Sequence, residues 1–136
     1  MRMGRLAGLL LVLVLAGCAG RPPFGGCAQT GFASWYHAEH GYRLTADGER
    51  YRPDTLTAAH RFLPFGTEVL VTDLATGRSV VVRINDRGPF VAGRIIDLSP
   101  KAATLLGMQH EGVIRVRLQL RADPSGTLPA CPFRRP

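Results

Sequence analysis

An aspartate inside an apolar run is the residue of this sequence best suited to acid–base chemistry. Asp97 interrupts Arg-Ile-Ile-Asp-Leu-Ser at 94–99, which otherwise has the composition of a buried strand that enters a helix. Burial of a carboxylate is costly unless the group is paired, hydrogen-bonded or protonated, and a carboxyl group that keeps its proton near neutral pH can act as a general acid. The structural alternative is that Asp97 caps the helix start or pairs with Arg87 or Arg94.

Three further side chains could join such a site. Asp86 lies in Asn-Asp-Arg-Gly-Pro, where Asp also favours a turn, and the two roles are compatible. His60 follows Thr-Ala-Ala and could equally be a core histidine whose hydrogen bonds are satisfied. Glu49, in Ala-Asp-Gly-Glu, could be a solvated loop carboxylate. The residues alone leave both interpretations open for Asp86 and His60 and favour the loop carboxylate for Glu49.

An aromatic pair, Trp35 and Tyr36, could stack on the faces of sugars, although burial in the core is an equally good explanation. The two residues are adjacent in a segment that reads as a strand. Successive side chains of a strand point to opposite faces, so one of the two should face away from the core.

The elements that must position these residues are mostly short strands. Alternation or β-branched content predicts strands over 32–36, 67–73, 79–85, 95–98 and 113–120. A turn at 75–78 joins the second strand to the third. Short strands favour a small closed or nearly closed barrel, because closure removes exposed edges.

One helix is indicated between the last two predicted strands. Ser99 can cap it, Pro100 suits its first position, and Gly107 can end it. We predict one domain over 31–121, followed by an irregular, proline-rich tail at 122–136.

The N-terminus has the three parts of an export signal. Arg2 and Arg5 precede an apolar run at 6–15, and small residues follow. The run is too short to span a membrane. Leu-Ala-Gly-Cys at 15–18 resembles the lipobox of bacterial lipoproteins, which predicts removal of 1–17, a lipid on Cys18 and a tether over 18–30. An ordinary secretory signal with an incidental cysteine is the alternative.

The other two cysteines, Cys27 and Cys131, flank the predicted domain. In an oxidising compartment they could form a disulfide, and chain-entropy reasoning assigns about 4.7 kcal/mol to a loop of about 100 residues. Two unpaired thiols in the tails are the alternative. Neither cysteine has a second Cys or a His at the spacing typical of metal ligands, so no metal site is predicted.

The net charge of +7 suits an anionic partner. Outside the cytoplasm, carboxylates of peptidoglycan and phospholipid headgroups are such partners. No nucleic-acid partner is predicted, because export separates the protein from nucleic acid and the sequence has no aromatic-basic stacking motif.

Five segments together resemble the rare lipoprotein A (RlpA) family, whose members are endolytic peptidoglycan transglycosylases with a double-psi β-barrel. The resemblance covers roughly 31–120. Its motifs are Ala-Ser-Trp-Tyr at 33–36, Thr-Ala-Asp-Gly-Glu at 45–49, Leu-Thr-Ala-Ala-His at 56–60 with Leu-Pro-Phe-Gly-Thr at 63–67, Arg-Ile-Asn-Asp-Arg-Gly-Pro-Phe at 83–90, and the segment at 94–99.

The resemblance implies a mainly β fold, a six-stranded double-psi barrel with one short helix, whose groove holds a glycan strand. The lipobox implies an envelope protein that faces the periplasm, and Ala19 after the lipidated cysteine favours the outer membrane. We expect a monomer. The predicted site comprises the catalytic residues Asp97, Asp86 and His60 and the substrate-binding residues Glu49, Arg87, Trp35 and Tyr36.

The implied reaction needs neither water nor a cofactor. Asp97 protonates the glycosidic oxygen, and the resulting carboxylate, or Asp86, takes a proton from the C6 hydroxyl of the same N-acetylmuramic acid. That hydroxyl closes a 1,6-anhydro ring. His60 would hold Asp86 or bind the sugar. Arg87 would attract the lactyl carboxylate of strands without peptides, and the alternative is that it braces its loop.

Some features depart from the family pattern. His37 stands where Gly is usual, Asp47 where Asn is commoner, and no segment corresponds to the C-terminal domain with which many members bind denuded glycan. Substrate preference and septal targeting are therefore not implied. A non-catalytic, expansin-like glycan-binding module is the main alternative, and a structural envelope protein that recruits partners is a third.

Overall fold

The computed structural model describes residues 27–36, 43–129 and 131–133, and this part of the chain contains six strands and one helix. The elements, in chain order, are β1 (Ala28–Trp35), β2 (Thr57–Ala59), β3 (Glu68–Asp73), β4 (Ser79–Asp86), β5 (Arg94–Leu98), α1 (Pro100–Leu106) and β6 (Ile114–Ala122).

The six strands close into a barrel in the order β1-β5-β2-β4-β3-β6. Two neighbouring pairs, β1 with β5 and β2 with β4, are parallel, and the other four are antiparallel. Each strand therefore bonds on both sides, which leaves no exposed edge. The prediction of a small six-stranded barrel with one short helix is confirmed.

The barrel interior is filled by the aliphatic residues that alternate along the strands. Inward positions of β3, β4 and β6 are buried while the residues between them are more exposed. This is the period of two that predicted these strands. The buried aliphatic residues of these three strands are Val69, Val71, Val80, Val82, Ile84, Val116, Leu118 and Leu120.

The first two strands differ most from prediction, and the bounds of the other four agree to within two residues. β1 begins at Ala28, so three residues of the predicted tether belong to the barrel, where they pair with β6. β2 was not predicted. It has only three residues, all buried, and so short a segment offers no alternation to detect.

Helix α1 begins and ends where its capping residues predict. Ser99 is the N-cap, and its side chain accepts a bond from the backbone N–H of Ala102. Pro100 occupies the first turn, and Gly107 ends the helix with φ of 70°, a left-handed conformation that favours glycine. The cap lies two residues beyond Asp97, so it fixes the end of β5 that carries this carboxylate.

The two ends of the described chain are joined covalently. Cys27 and Cys131 form a disulfide across a sequence separation of 104, with their Cα atoms 5.4 Å apart. Phe133, just beyond, packs against the core. No strand or helix occurs at 123–129 or 131–133.

Several predictions concern residues outside those the structure describes. The signal at 1–17, Cys18, most of the tether and His37 belong to this group. Within the described residues, no helix has the length and apolar character needed to cross a membrane.

Candidate active site

Two carboxylates and a serine face the same side of the barrel wall. In β2, Ala59 is aligned with Asp97 on β5 and with Asp86 on β4, and Asp97 is aligned with Ser34 on β1. Residues aligned across neighbouring strands project from the same face. Because neighbouring strands lie about 4.8 Å apart, the backbones at Asp86 and Asp97 are separated by about 10 Å. We call this surface the groove face.

Irregularities in strand pairing decide which side chains reach the groove face. Ala58 is aligned with Ile84, but the next residue, Ala59, is aligned with Asp86, so Asn85 is an extra residue. Ile84 lies in the core, and without this bulge Asp86 would point to the core as well. A second shift, at Ile95, likewise brings Arg94 to the face of Asp97.

Asp86 is buried and its carboxylate is fully hydrogen-bonded. Oδ1 accepts bonds from the backbone N–H groups of Ala46, at 3.0 Å, and Arg87, at 2.9 Å. Oδ2 accepts bonds from the Tyr36 hydroxyl, at 3.1 Å, and from Arg43 Nη2, at 3.0 Å. Four donors thus hold this buried carboxylate, and through them Tyr36 and the 43–46 loop are tied to the end of β4.

Asp97 is also buried, but its two oxygens differ. Oδ1 accepts bonds from the Ser34 hydroxyl and the Arg94 guanidinium, and Arg94 also donates to the Ser34 oxygen. Pairing with Arg94 is one of the structural alternatives that the sequence left open. No residue of the described segments donates to Oδ2. The side chain keeps 13% of its surface exposed, so it is not sealed from solvent.

Tyr36 lies beside both carboxylates. Burial raises the pKa of its hydroxyl, and the negative charges of Asp86 and Asp97 raise it further. The phenol therefore stays protonated and donates a hydrogen bond to Asp86. Its ring meets Tyr51 edge to face, with centroids 5.9 Å apart.

Trp35 points to the opposite face from Tyr36, as the alternation of a strand requires. Its side chain packs against the core and does not share the groove face. The expectation that one of the two aromatic residues faces away from the core agrees with this geometry, whereas the geometry does not support stacking of sugars on Trp35.

The structure does not bring the His60 ring to the carboxylates. Nδ1 accepts backbone N–H bonds from Phe62, at 3.3 Å, and Leu63, at 3.2 Å. Nε2 then carries the proton and donates to Gln29 Oε1 at 3.1 Å. Only the backbone N–H of His60 bonds to Asp86, at its carbonyl oxygen. His60 follows Ala59, so its side chain points away from the groove face. It is therefore a core histidine with satisfied hydrogen bonds, the alternative given in the sequence analysis.

His60 makes the stability of the protein depend on pH. Burial, reinforced by the positive charges of Arg87 and Arg61, lowers its pKa from 6.5 to about 4. The unfolded chain therefore binds one more proton than the folded chain between these values, and stability falls as the pH is lowered through this window. We expect a loss of about 3 kcal/mol in the free energy of unfolding between pH 7 and pH 4.

Urea unfolding at several pH values checks this prediction. Other groups also titrate in acid, so the informative quantity is the difference between the wild type and His60→Gln, which is neutral throughout. The free energy of unfolding of the variant should be lower than that of the wild type at pH 7, but it should fall less on acidification. Equal losses for both proteins would contradict the assignment of the pH dependence to His60.

Glu49 binds another residue of the protein. Its carboxylate forms a two-pronged pair with Arg83 of β4, at 2.7 and 2.8 Å. In the same loop, the pKa of Asp47 is lowered: burial opposes the shift, but bonds from the Thr45 hydroxyl and the Glu49 N–H and the charge of Arg83 outweigh it. These contacts shape the 45–49 loop, whose Ala46 N–H binds Asp86.

Arg87 is likewise engaged with the protein. Nη1 donates to the carbonyl oxygens of Leu63, at 2.9 Å, and His60, at 3.3 Å. The guanidinium carbon lies 3.9 Å from the centre of the Phe65 ring. The structure thus favours the alternative that Arg87 braces the loop.

Sequence reasoning missed two partners of the carboxylates. Ser34 was noted only as the neighbour of Trp35, although its register with Asp97 gives it a direct contact. Arg43 carried no signal, because 43 positions separate it from Asp86 and only folding joins them. In the described segments no three His, Cys, Asp or Glu side chains are grouped so that they could hold a metal ion.

The chain is similar to several known proteins. The profile of a family described as "Lytic transglycolase" matches residues 28–118. The "Probable endolytic peptidoglycan transglycosylase RlpA" of Nostoc sp. is 59% identical over 92 residues, which cover 66% of this chain and 25% of the relative. The "Endolytic peptidoglycan transglycosylase RlpA" of Pasteurella multocida is 53% identical over 95 residues, which cover 70% of this chain and 32% of the relative.

Two solved structures share the fold. The Streptomyces papain inhibitor has a TM-score of 0.58 and 22% identity, with coverage of 71% of this chain and 96% of the inhibitor. The expansin of Clavibacter michiganensis has a TM-score of 0.57 and 24% identity, with coverage of 73% and 52% respectively. At such identities the likeness concerns the fold alone, a double-psi barrel.

The family is shown by the sequence matches. The profile covers most of the barrel, and the motifs that surround Asp86 and Asp97 lie within it. The chain spans about a quarter to a third of the length of these two relatives. On these grounds the chain belongs to the double-psi barrel lytic transglycosylase family that includes rare lipoprotein A (RlpA).

Proposed function

We propose that this protein is an endolytic peptidoglycan transglycosylase that cleaves glycan strands between N-acetylmuramic acid and N-acetylglucosamine. One observation carries the proposal: two buried carboxylates share one face, and they differ in the number of hydrogen bonds that their oxygens accept. Both oxygens of Asp86 accept hydrogen bonds, whereas Oδ2 of Asp97 accepts none from the described residues. A pair of carboxyl groups in different environments is the usual arrangement for acid–base cleavage of a glycosidic bond.

Asp97 is the proton donor in this proposal. In the reactive form Oδ2 carries a proton, which passes to the glycosidic oxygen as the bond to C1 of N-acetylmuramic acid breaks. Asp97 becomes a carboxylate in this step. The Arg94 guanidinium and the Ser34 hydroxyl already donate to Oδ1, so they stabilise the charge as it forms.

Closure of the ring returns the proton. The C6 hydroxyl oxygen of the same sugar bonds to C1, and its proton passes to Oδ2 of Asp97, which restores the acid. The products are a strand with a 1,6-anhydromuramic end and a strand with a free 4-hydroxyl, and water is not consumed. Asp86 supplies negative charge towards the positive C1 and positions Tyr36.

The substrate of this proposal is a strand without stem peptides. Removal of the peptides exposes lactyl carboxylates, which suit a chain of net charge +7. Glu49 and Arg87 hold the loops that surround Asp86 and act on the substrate only through them.

The same proposal places the protein in the cell envelope. The signal at 1–17 is removed and Cys18 receives the lipid, which anchors a monomer to a membrane facing the periplasm, by preference the outer membrane. β1 begins ten positions after Cys18. At about 3.5 Å per extended residue, the barrel would lie within about 35 Å of the anchor.

Analysis of cleavage products tests the proposed function. The protein is incubated with glycan strands freed of peptides, and mass spectrometry searches for 1,6-anhydromuramic ends. We expect such ends with the wild type and almost none with Asp97→Asn. If the wild type binds the strands without forming these ends, the protein is a binding module and the enzyme proposal is wrong.

A further inference from the structure

Phe32 lies on the groove face beside the proposed proton donor. In β1, Ala33 is completely buried in the core, while Phe32 on the opposite face keeps 44% of its surface exposed. Ser34, which bonds to Asp97, lies on the same face two residues further along the strand. At about 3.4 Å per residue, the backbones of Phe32 and Ser34 are about 7 Å apart.

Arginines flank Phe32 on both neighbouring strands. It is aligned with Arg94 of β5 and with Arg115 of β6. In β6, Arg115 is exposed whereas Val116 is buried, so the arginine points outward like Phe32. Residues aligned across an antiparallel pair have Cβ atoms about 5 Å apart, and the two side chains therefore form one continuous surface.

Arg115 differs from the three arginines that lie nearest the two carboxylates. Arg94 is paired with Asp97, and Arg43 with Asp86. Arg87 is engaged with carbonyl groups. No acidic side chain in the described residues lies within ion-pair distance of Arg115, so its guanidinium is available to an external anion.

We propose that Phe32 and Arg115 form a subsite for an anionic sugar of the glycan strand. This inference rests on the proposed function and specifies how the groove recognises its substrate. A sugar ring lies against the exposed face of Phe32, and a carboxylate attached to that sugar pairs with the Arg115 guanidinium. N-acetylmuramic acid in a strand without peptides carries such a carboxylate.

Binding measurements with two probes separate the roles of the two residues. Peptide-free glycan strands carry lactyl carboxylates, whereas chitooligosaccharides are neutral. Calorimetry uses the full chain with Asp97→Asn, which prevents turnover. Phe32→Ala should raise the Kd for both probes about tenfold, since stacking does not depend on the carboxylate. Arg115→Gln should raise the Kd for glycan strands about twofold to fivefold and leave the Kd for chitooligosaccharides unchanged.

Lys101→Gln is the matched control for charge, because it removes one exposed positive charge from α1. It should leave both Kd values unchanged at moderate ionic strength. Phe32→Tyr should retain the affinity of Phe32, which excludes misfolding as the cause of weaker binding. An Arg115→Gln variant that binds both probes like the parent, or loses affinity for both equally, would overturn the subsite.

The subsite and the proposed function fail in different ways. If the protein cleaves strands and neither Phe32→Ala nor Arg115→Gln changes KM, the subsite is contradicted but the proposed enzyme activity is not. If binding follows the expected pattern but the wild type forms no anhydromuramic ends, the subsite is supported and the proposed enzyme activity is contradicted. If both hold, the two variants raise KM with little change in kcat, because they contact the substrate away from the reacting bond.

Discussion

Replacing Asp97 by Asn is expected to lower the rate of glycan cleavage by about 10²–10⁴-fold, the usual contribution of a general acid. The amide has nearly the shape of the carboxyl group but no transferable proton. Ser34 and Arg94 can still donate to its oxygen, so substrate binding should change little. The measurement is the initial rate at which 1,6-anhydromuramic ends form, together with KM. A variant that cleaves as fast as the wild type would show that another group is the acid.

Asp86→Asn is the informative comparison for this prediction. All four groups that bond to Asp86 are donors, and an amide nitrogen in place of one oxygen would face donors. We therefore expect Asp86→Asn to lower the melting temperature as well as the activity, whereas Asp97→Asn should fold with nearly wild-type stability. Thermal unfolding of both variants distinguishes the residue that transfers a proton from the one that also holds the loops.

Loss of the disulfide is expected to have the largest effect on stability. Replacing Cys27 and Cys131 by Ala should lower the free energy of unfolding by about 4 kcal/mol, because the bond closes a loop of about 100 residues in the unfolded chain. For a domain of this size the melting temperature should fall by about 15–20 °C. Calorimetric unfolding of the double variant and the wild type gives both quantities.

Reduction of the wild type provides the control. A thiol reductant should lower its melting temperature nearly to that of the double variant and leave the double variant unchanged. Cys27→Ala alone should lose as much stability as the pair, since either change removes the bond. Equal melting temperatures for the wild type and the double variant would contradict a stabilising disulfide.

Local signals in the sequence predicted much of the fold. Ser99, Pro100 and Gly107 act on backbone groups within a few residues of themselves, so the bounds of α1 follow from the sequence alone. Alternation likewise predicted β3, β4 and β6 to within two residues, because each has one face in the core. β2 escaped detection since all three of its residues are buried.

The composition of the candidate site was predicted less completely than the fold. Asp97 and Asp86 were identified because acidic residues beside buried strands need a compensating structure or a function. His60 was a candidate for the same site, with a core histidine as the alternative. The face to which the His60 side chain points depends on its position directly after β2, a strand that the sequence did not reveal.

Local patterns and motifs were enough to predict the candidate acid–base residues, the capped helix, the main strands and membership of the family. Which of these residues meet depends on the way the strands pair in the folded barrel. The bulge at Asn85 turns Asp86 to the groove face, and barrel closure brings Ser34 to Asp97 across 63 positions. Register and bulges arise from pairing between distant strands, so no short segment encodes them by itself.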